Sequence, residues 1–348
     1  MNKQIGIEDG DRILISRTDR LGDLILALPF VESMKLRYPD CRIEVMSSLY
    51  ASPILENNKR IDSIVRVQQD QLVSSRLYKK DLLNKIKDAG YKCVVALYPE
   101  RHICQLFYRA DIPHRIGTAG RFHSVYFNHH LFHKRKENKK HESEYNLDFL
   151  KFFRDGKAVK TPVVYPLEKE LKNARRILGE AGINSRFVVL HPGSGGSAEC
   201  WPFDKFVRLY SLLTGAGLEV IMSGTDSEGE KLEELEKHLK VRVNKITGQT
   251  DLRTLAAVLS LASTVVANST GPLHLAVAVG TRVVGLYPSK KAMSPVRWGP
   301  LGRGHRLMTP SRAECHCPPR QCRCMETITP ENVAREVVEV FETVSRRA

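Results

Sequence analysis

The sequence predicts an α/β protein built from two doubly wound parallel sheets, and three observations support this class. The chain has 348 residues, more than one hydrophobic core usually organises. Apolar, strand-sized segments alternate with amphipathic helical patterns along it. The alternation stops in a polar, irregular stretch at 155–165 and then starts again. We therefore expect two domains that divide near residue 165.

In the first half, the strand RILIS, a helix from about Leu21 to Arg37 and the strand RIEVMSS (42–48) make a βαβ unit. Pro29 falls inside that helical pattern and should kink it. A second helix at 80–90, with Gly90 as its C-cap, precedes the strand KCVVALY. These repeats predict a parallel sheet.

The second half repeats the pattern. An amphipathic helix (168–181) comes first, followed by the strand and glycine loop FVVLHPGSGGS (187–197) and a helix from about Phe203 to Thr214. The alternation continues with LEVIMSG, a charged helix at 227–239, a short strand near 241–246, LRTLAAVLSLA, STVVAN, STGPLHLAVAVG and TRVVGLYP.

Composition limits the function classes. The chain is 42% hydrophobic and 27% charged, as in soluble globular proteins. It contains neither an apolar run of about 18 residues nor a signal-peptide core near its N-terminus, so we expect a cytoplasmic location. The net charge of +15 indicates an anionic partner: nucleic acid, a membrane surface or a phosphorylated substrate. Nucleic acid is disfavoured because no RRM, KH or helix-turn-helix pattern occurs.

Two loops of the second half are suited to anions. In HPGSGG the glycines let the backbone approach an anion and Ser194 adds a hydroxyl. In NSTGPLH, Ser269 or Thr270 can cap the helix that Gly271 and Pro272 begin, and His274 lies on its first turn. Either loop alone could be an ordinary turn or cap. Both together favour a phosphate-bearing ligand, although neither matches a Walker or GxGxxG pattern.

Asp23 lies in a predicted helix first turn, downstream of Arg17 and Arg20. The helix dipole explains a carboxylate at this position. The functional alternative is a general base that takes a proton from an acceptor hydroxyl.

Two further features leave alternatives open. Cys315, Cys317, Cys322 and Cys324 form a CxCx4CxC cluster, whose spacing favours reduced thiols over a zinc site. The segment HKRKENKKH (133–141) is strongly basic, and is either a solvated loop or a contact with anionic lipid or substrate.

Five ordered blocks resemble glycosyltransferase family 9, the ADP-heptose:lipopolysaccharide heptosyltransferases: ISRTDRLGDLILALPF, HPGSGG…WPFDKF, SGTDSE, GQTDLRTLAAVLSLA and VVANSTGPLHLAVAVG. The resemblance implies a GT-B architecture, with two Rossmann-like domains facing across a cleft. It assigns the acceptor to 1–165, the nucleotide-sugar donor to 166–328, and a C-terminal helix at 329–348 that packs back on the first domain.

The resemblance also implies inverting, metal-independent transfer of heptose from ADP-heptose to a Kdo-lipid A type acceptor, with no cofactor. Asp23 matches the catalytic base. The implied donor-binding residues are Ser194, Gly195, Glu199, Glu228, Ser269, Thr270, Gly271 and His274. The implied acceptor-binding residues are Arg17, Arg20, Arg101 and Arg121. The basic segment would attract the protein to the cytoplasmic face of the inner membrane.

The chain departs from the family pattern at two positions. Glu199 stands where a lysine is common, and Ser269 where an aspartate is usual. These changes leave two alternatives: a transferase that uses another nucleotide sugar for an envelope glycan, and a GT-B binding protein without transfer activity.

Overall fold

The structure is a computed structural model that describes residues 4–120, 122–196, 199–310 and 323–345. The chain forms two compact units, Met1–Pro162 and Val163–Ala348. This division lies a few residues before the expected one at 165.

The described part of the N-terminal unit contains a six-stranded parallel sheet in the order β3-β2-β1-β4-β5-β6. Its strands are β1 Arg12–Ser16, β2 Arg42–Ser48, β3 Ser63–Val67, β4 Cys93–Ala96, β5 His114–Thr118 and β6 His129–Leu131. Its helices are α1 Leu21–Ile25, α2 Leu28–Arg37, α3 Gln69–Ser74, α4 Arg76–Asp88, α5 Arg101–Arg109 and α6 Glu142–Leu147.

The central strands of this sheet are buried on both faces, as parallel strands covered by helices require. The helix expected at 21–37 is two helices, because Pro29 lacks the N–H that a continuous helix needs and instead lies in the first turn of α2.

The C-terminal unit has a five-stranded parallel sheet among its described residues, in the order β11-β10-β9-β7-β8. Its strands are β7 Phe187–His191, β8 Glu219–Met222, β9 Thr264–Asn268, β10 Arg282–Leu286 and β11 Arg306–Met308. Its helices are α7 Glu168–Glu180, α8 Phe203–Gly215, α9 Asp226–Leu239, α10 Leu252–Leu261, α11 Gly271–Ala278, α12 Pro295–Trp298 and α13 Pro330–Ser345. The strand expected near 241–246 is a single bridge between Met222 and Lys245.

The C-terminal helix α13 contributes to the core of its own unit. It packs on α8 and the sheet of its own unit, where Val333, Val337 and Val340 enter the core. The indole Nε1 of Trp201 donates to the carbonyl of Ile328 at 3.0 Å, just before this helix. The valines of α13 thus pack within the C-terminal unit, and the prediction that 329–348 packs back on the N-terminal domain stays a prediction.

Helices that span a bilayer need long apolar stretches, and the part of the chain described by the structure contains none that meets this requirement.

Candidate functional site

In the N-terminal unit, a buried arginine gathers three carboxylates at the carboxyl end of β1. Arg17, only 2% exposed, is the first residue after the strand. Its Nε and Nη2 donate to the two carboxylate oxygens of Asp19 at 2.7 and 3.0 Å. Nη2 also donates to Oδ1 of Asp23, and Nη1 donates to Glu142 Oε1 at 3.2 Å and to Asn146 Oδ1 at 3.1 Å. We call these five residues the Arg17 cluster.

The electrostatics of the cluster follow from its burial. Burial alone would lower the pKa of Arg17, but the charges of Asp19, Asp23 and Glu142 raise it above its ordinary value. Burial raises the pKa of Asp19 to about 7, despite the opposing charge of Arg17. The guanidinium therefore stays charged and fixes the carboxylate of Asp23.

Two short helices carry the carboxylates of Asp23 and Glu142. Asp23 lies in the first turn of α1, where the helix dipole favours a negative charge, and its neighbours Leu21 and Leu24 are buried and anchor the turn. Helix α6 starts with a capping box between His141 and Glu144. This helix presents Glu142 and Asn146, one turn apart, to Arg17.

The arginines that were expected to bind the acceptor have different surroundings. All three guanidinium nitrogens of Arg17 donate to side chains of its own unit, and one of them holds Asp23. The role of Arg17 in acceptor binding stays a prediction. Arg20 is exposed beside it, and Arg101 begins α5 with its guanidinium 5.9 Å from the ring centre of Phe122. Arg121 lies outside the described residues.

The sequence analysis missed Asp19, Glu142 and Asn146. Glu142 and Asn146 are 125 and 129 positions from Arg17, and no local pattern links such distant residues. Asp19 carried a usable signal, since it stands between Arg17 and Asp23 in a loop of charged residues.

In the C-terminal unit, the glycine loop after β7 is shaped around Glu228. A Cβ on Gly193 would lie 1.9 Å from Oε1 of this carboxylate, and one on Gly224 would lie 2.7 Å from Oε2. Oε2 accepts from the backbone N–H of Thr225 at 2.8 Å, in the capping box that starts α9. Glu228 is therefore held against the loop that contains Ser194 and Gly195, and Gly195 has a φ of 51°.

A buried histidine lies under this loop. His191 ends β7, and its Nδ1 is 2.9 Å from the hydroxyl of Ser223. Burial lowers the pKa of His191, while the charge of Glu228 opposes that effect. The sequence analysis did not select His191, which we expect to be neutral at pH 7.

The second predicted loop follows β9 and opens α11. Thr270 is the N-cap residue and is buried, Gly271 is the first residue of the helix, and His274 is 3% exposed. The backbone N–H of Ser269 donates to the carbonyl of Leu286 at 3.0 Å, which ties this loop to β10. The first backbone N–H groups of a helix have no acceptor within the helix, so a helix start of this kind favours an anion.

Asn268 joins the two loops. Its Nδ2 donates to the carbonyl of Pro192 at 2.7 Å, and its Oδ1 accepts from the backbone N–H of Trp201 at 2.9 Å. The structure thus places Ser194, Gly195, Glu199, Glu228, Ser269, Thr270, Gly271 and His274 in loops and helix starts at the carboxyl edge of one sheet. Glu199 forms an ion pair there with Lys290, which the sequence analysis did not select.

The cysteine prediction lies mostly outside the described residues, which exclude Cys315, Cys317 and Cys322. Cys324 is buried in the core beside Met325 and Ile328. Elsewhere in the described chain, no three His, Cys, Asp or Glu side chains are close enough to hold a metal ion.

Solved structures share the fold of this chain. The chain matches a glycosyltransferase family 9 structure from Veillonella parvula with a TM-score of 0.81 and 18% identity, covering 96% of this chain and 98% of that one. It matches Escherichia coli heptosyltransferase WaaC with ADP at a TM-score of 0.74 and 17% identity, covering 94% and 99%. The predicted GT-B fold class is confirmed.

Sequence comparison gives the family. The model of glycosyltransferase family 9 (heptosyltransferase) matches residues 81–327. Lipopolysaccharide heptosyltransferase 3 of Escherichia coli is 25% identical over 275 residues, which are 76% of this chain and 80% of that protein. The chain belongs to glycosyltransferase family 9, and it is a glycosyltransferase.

Proposed function

We propose that the protein transfers heptose from ADP-heptose to an anionic inner-core lipopolysaccharide acceptor of the Kdo-lipid A type, with inversion and with Asp23 as the general base. The observation that carries the proposal is the Arg17 cluster, which fixes a partly exposed carboxylate at the start of a helix. The ADP complex of a structural relative and the heptosyltransferase relatives support the donor and the acceptor class.

The proposed reaction is a single displacement. Asp23 accepts the proton of an acceptor hydroxyl as that oxygen attacks the anomeric carbon of the donor. The bond from the anomeric carbon to the phosphate oxygen breaks, and ADP leaves with the bonding electrons. Because the new bond forms opposite the broken one, the configuration inverts.

The donor is assigned to the carboxyl edge of the C-terminal sheet. Gly271 at the start of α11 and the glycine loop at 193–196 offer backbone N–H groups to the diphosphate. Glu228 is proposed to accept hydrogen bonds from ribose hydroxyls, because its Oε1 is directed at the glycine loop. Neither role requires a metal ion or another cofactor.

The acceptor is assigned to the N-terminal unit. Arg20 and Arg101 remain candidates for its carboxylates and phosphates. Membrane contact is part of the proposal because Phe122, Val125 and Phe132 are 82%, 71% and 73% exposed and precede the basic segment 133–141. Exposed apolar side chains next to cations suit the cytoplasmic surface of an anionic bilayer.

Two experiments test the proposal. Calorimetric titration with ADP and UDP should show ADP-selective binding, and ADP release from ADP-heptose should require a Kdo-containing lipid A acceptor. ADP binding without turnover on any acceptor would favour the non-catalytic alternative. Selective binding of UDP would favour another nucleotide sugar.

A further inference from the structure

One ion pair in the C-terminal unit joins two loops of the proposed donor site. Lys290 Nζ donates to Glu199 Oε1. Glu199 lies in the loop after β7, and Lys290 lies just beyond β10. In the sheet order β10-β9-β7, these two loops flank the end of β9, where α11 begins.

The scaffold around this pair is rigid on the β7 side. Trp201, two residues after Glu199, is fully buried, and its backbone N–H donates to Asn268 at the end of β9. Asn268 also binds the carbonyl of Pro192. The chain on both sides of Glu199 is therefore tied to the end of β9, directly before α11, whose start favours an anion.

The contacts of Glu199 are incomplete. Its Oε2 is buried and has no hydrogen-bond partner among the described residues. A buried carboxylate oxygen without a donor is destabilising, so the lysine does not fully compensate this site. The side chain of Lys290 is 32% exposed, and its flexible four-carbon stem lets the ammonium exchange one anion for another.

We propose that Lys290 is the cation that binds the diphosphate of the donor, and that Glu199 competes with the diphosphate for it. This inference rests on the proposed function. With the site empty, Glu199 neutralises Lys290. With donor bound, the ammonium turns to the phosphates, which carry more negative charge than one carboxylate.

The proposal gives Glu199 a role in turnover. Because the ammonium must leave Glu199 to bind ADP, every ADP bound costs one ion pair. Glu199 thus weakens the binding of the product ADP and recaptures Lys290 when ADP leaves. Both effects depend on the phosphates, so adenosine should not respond to either residue.

The test is calorimetric titration of the full chain with ADP and with adenosine. Lys290→Gln should weaken ADP binding about tenfold, the range for a hydrogen bond to a charged group, while adenosine binding stays unchanged. Glu199→Gln should strengthen ADP binding several-fold. Lys291→Gln is the matched control, because Lys291 is the exposed neighbour, and it should change neither affinity.

The double variant tests the competition itself. When Lys290 is already Gln, Glu199→Gln should give a clearly smaller gain in ADP affinity, because the cation for which Glu199 competes with the diphosphate is gone. An equal gain would overturn the competition. Unchanged ADP binding in Lys290→Gln, or an equal loss of adenosine binding, would overturn the phosphate role. If the wild type binds adenosine but not ADP, the inference fails, and if it binds neither, the proposed function fails as well.

Discussion

Replacing Arg17 with Met tests how the Arg17 cluster is held together. The substitution keeps an apolar stem of similar length but removes the charge that pairs with Asp19, Asp23 and Glu142. Removing one partner of a buried ion pair leaves uncompensated charge and costs about 3–5 kcal/mol. We therefore expect the free energy of unfolding to fall by about that amount at pH 8.

The loss of stability in Arg17→Met should also depend on pH. The charge of Arg17 opposes the burial that raises the pKa of Asp19, so removing Arg17 raises that pKa further in the folded state. Acids with a raised folded pKa destabilise the fold as pH rises above their unfolded values, and the penalty disappears when they are protonated. The loss in Arg17→Met should thus be clearly smaller at pH 5 than at pH 8.

The assay is urea unfolding followed by circular dichroism at both pH values. The control is Arg20→Met, which removes an exposed cation three residues away and should change the free energy of unfolding by less than about 1 kcal/mol. A loss below about 1 kcal/mol for Arg17→Met at pH 8 would refute the reasoning.

Three further predictions follow from the same geometry. Burial raises the pKa of Asp19 to about 7, so this group should lower the stability of the wild type between about pH 4 and 7. Asp19→Asn should therefore become more stable relative to the wild type as pH rises. A difference in the free energy of urea unfolding that stays constant with pH would contradict this. Gly193→Ala should displace Glu228 and weaken adenosine binding about tenfold in calorimetry, whereas Gly179→Ala should not. Phe122→Ser with Phe132→Ser should reduce cosedimentation with anionic vesicles, and unchanged binding would remove this surface from the membrane contact.

Much of the fold could be predicted from local patterns. The strand and helix alternation around RILIS and FVVLH determines parallel sheets, because apolar periodicity and glycine or proline boundaries are encoded within a few residues. Pro29 marked the break between α1 and α2 for the same reason. The order of the edge strands was not predicted, since it depends on pairing between distant segments.

The site could be predicted only where its residues are neighbours in sequence. Arg17 and Asp23 share one loop, but Glu142 reaches Arg17 across 125 positions and Lys290 reaches Glu199 across 91. The packing of α13 valines against α8 likewise joins residues that are far apart in sequence. Long-range charge pairing is set by the folded sheet, so it could not be read from spacing alone.

The most direct test of the central claim is ADP release from ADP-heptose and a Kdo-containing lipid A acceptor, measured for the wild type and Asp23→Asn. We expect turnover to fall by about 10²–10⁴-fold in the variant, with the affinity for ADP unchanged, because only proton removal is lost. Turnover within a few-fold of wild type in Asp23→Asn would show that Asp23 is not the base.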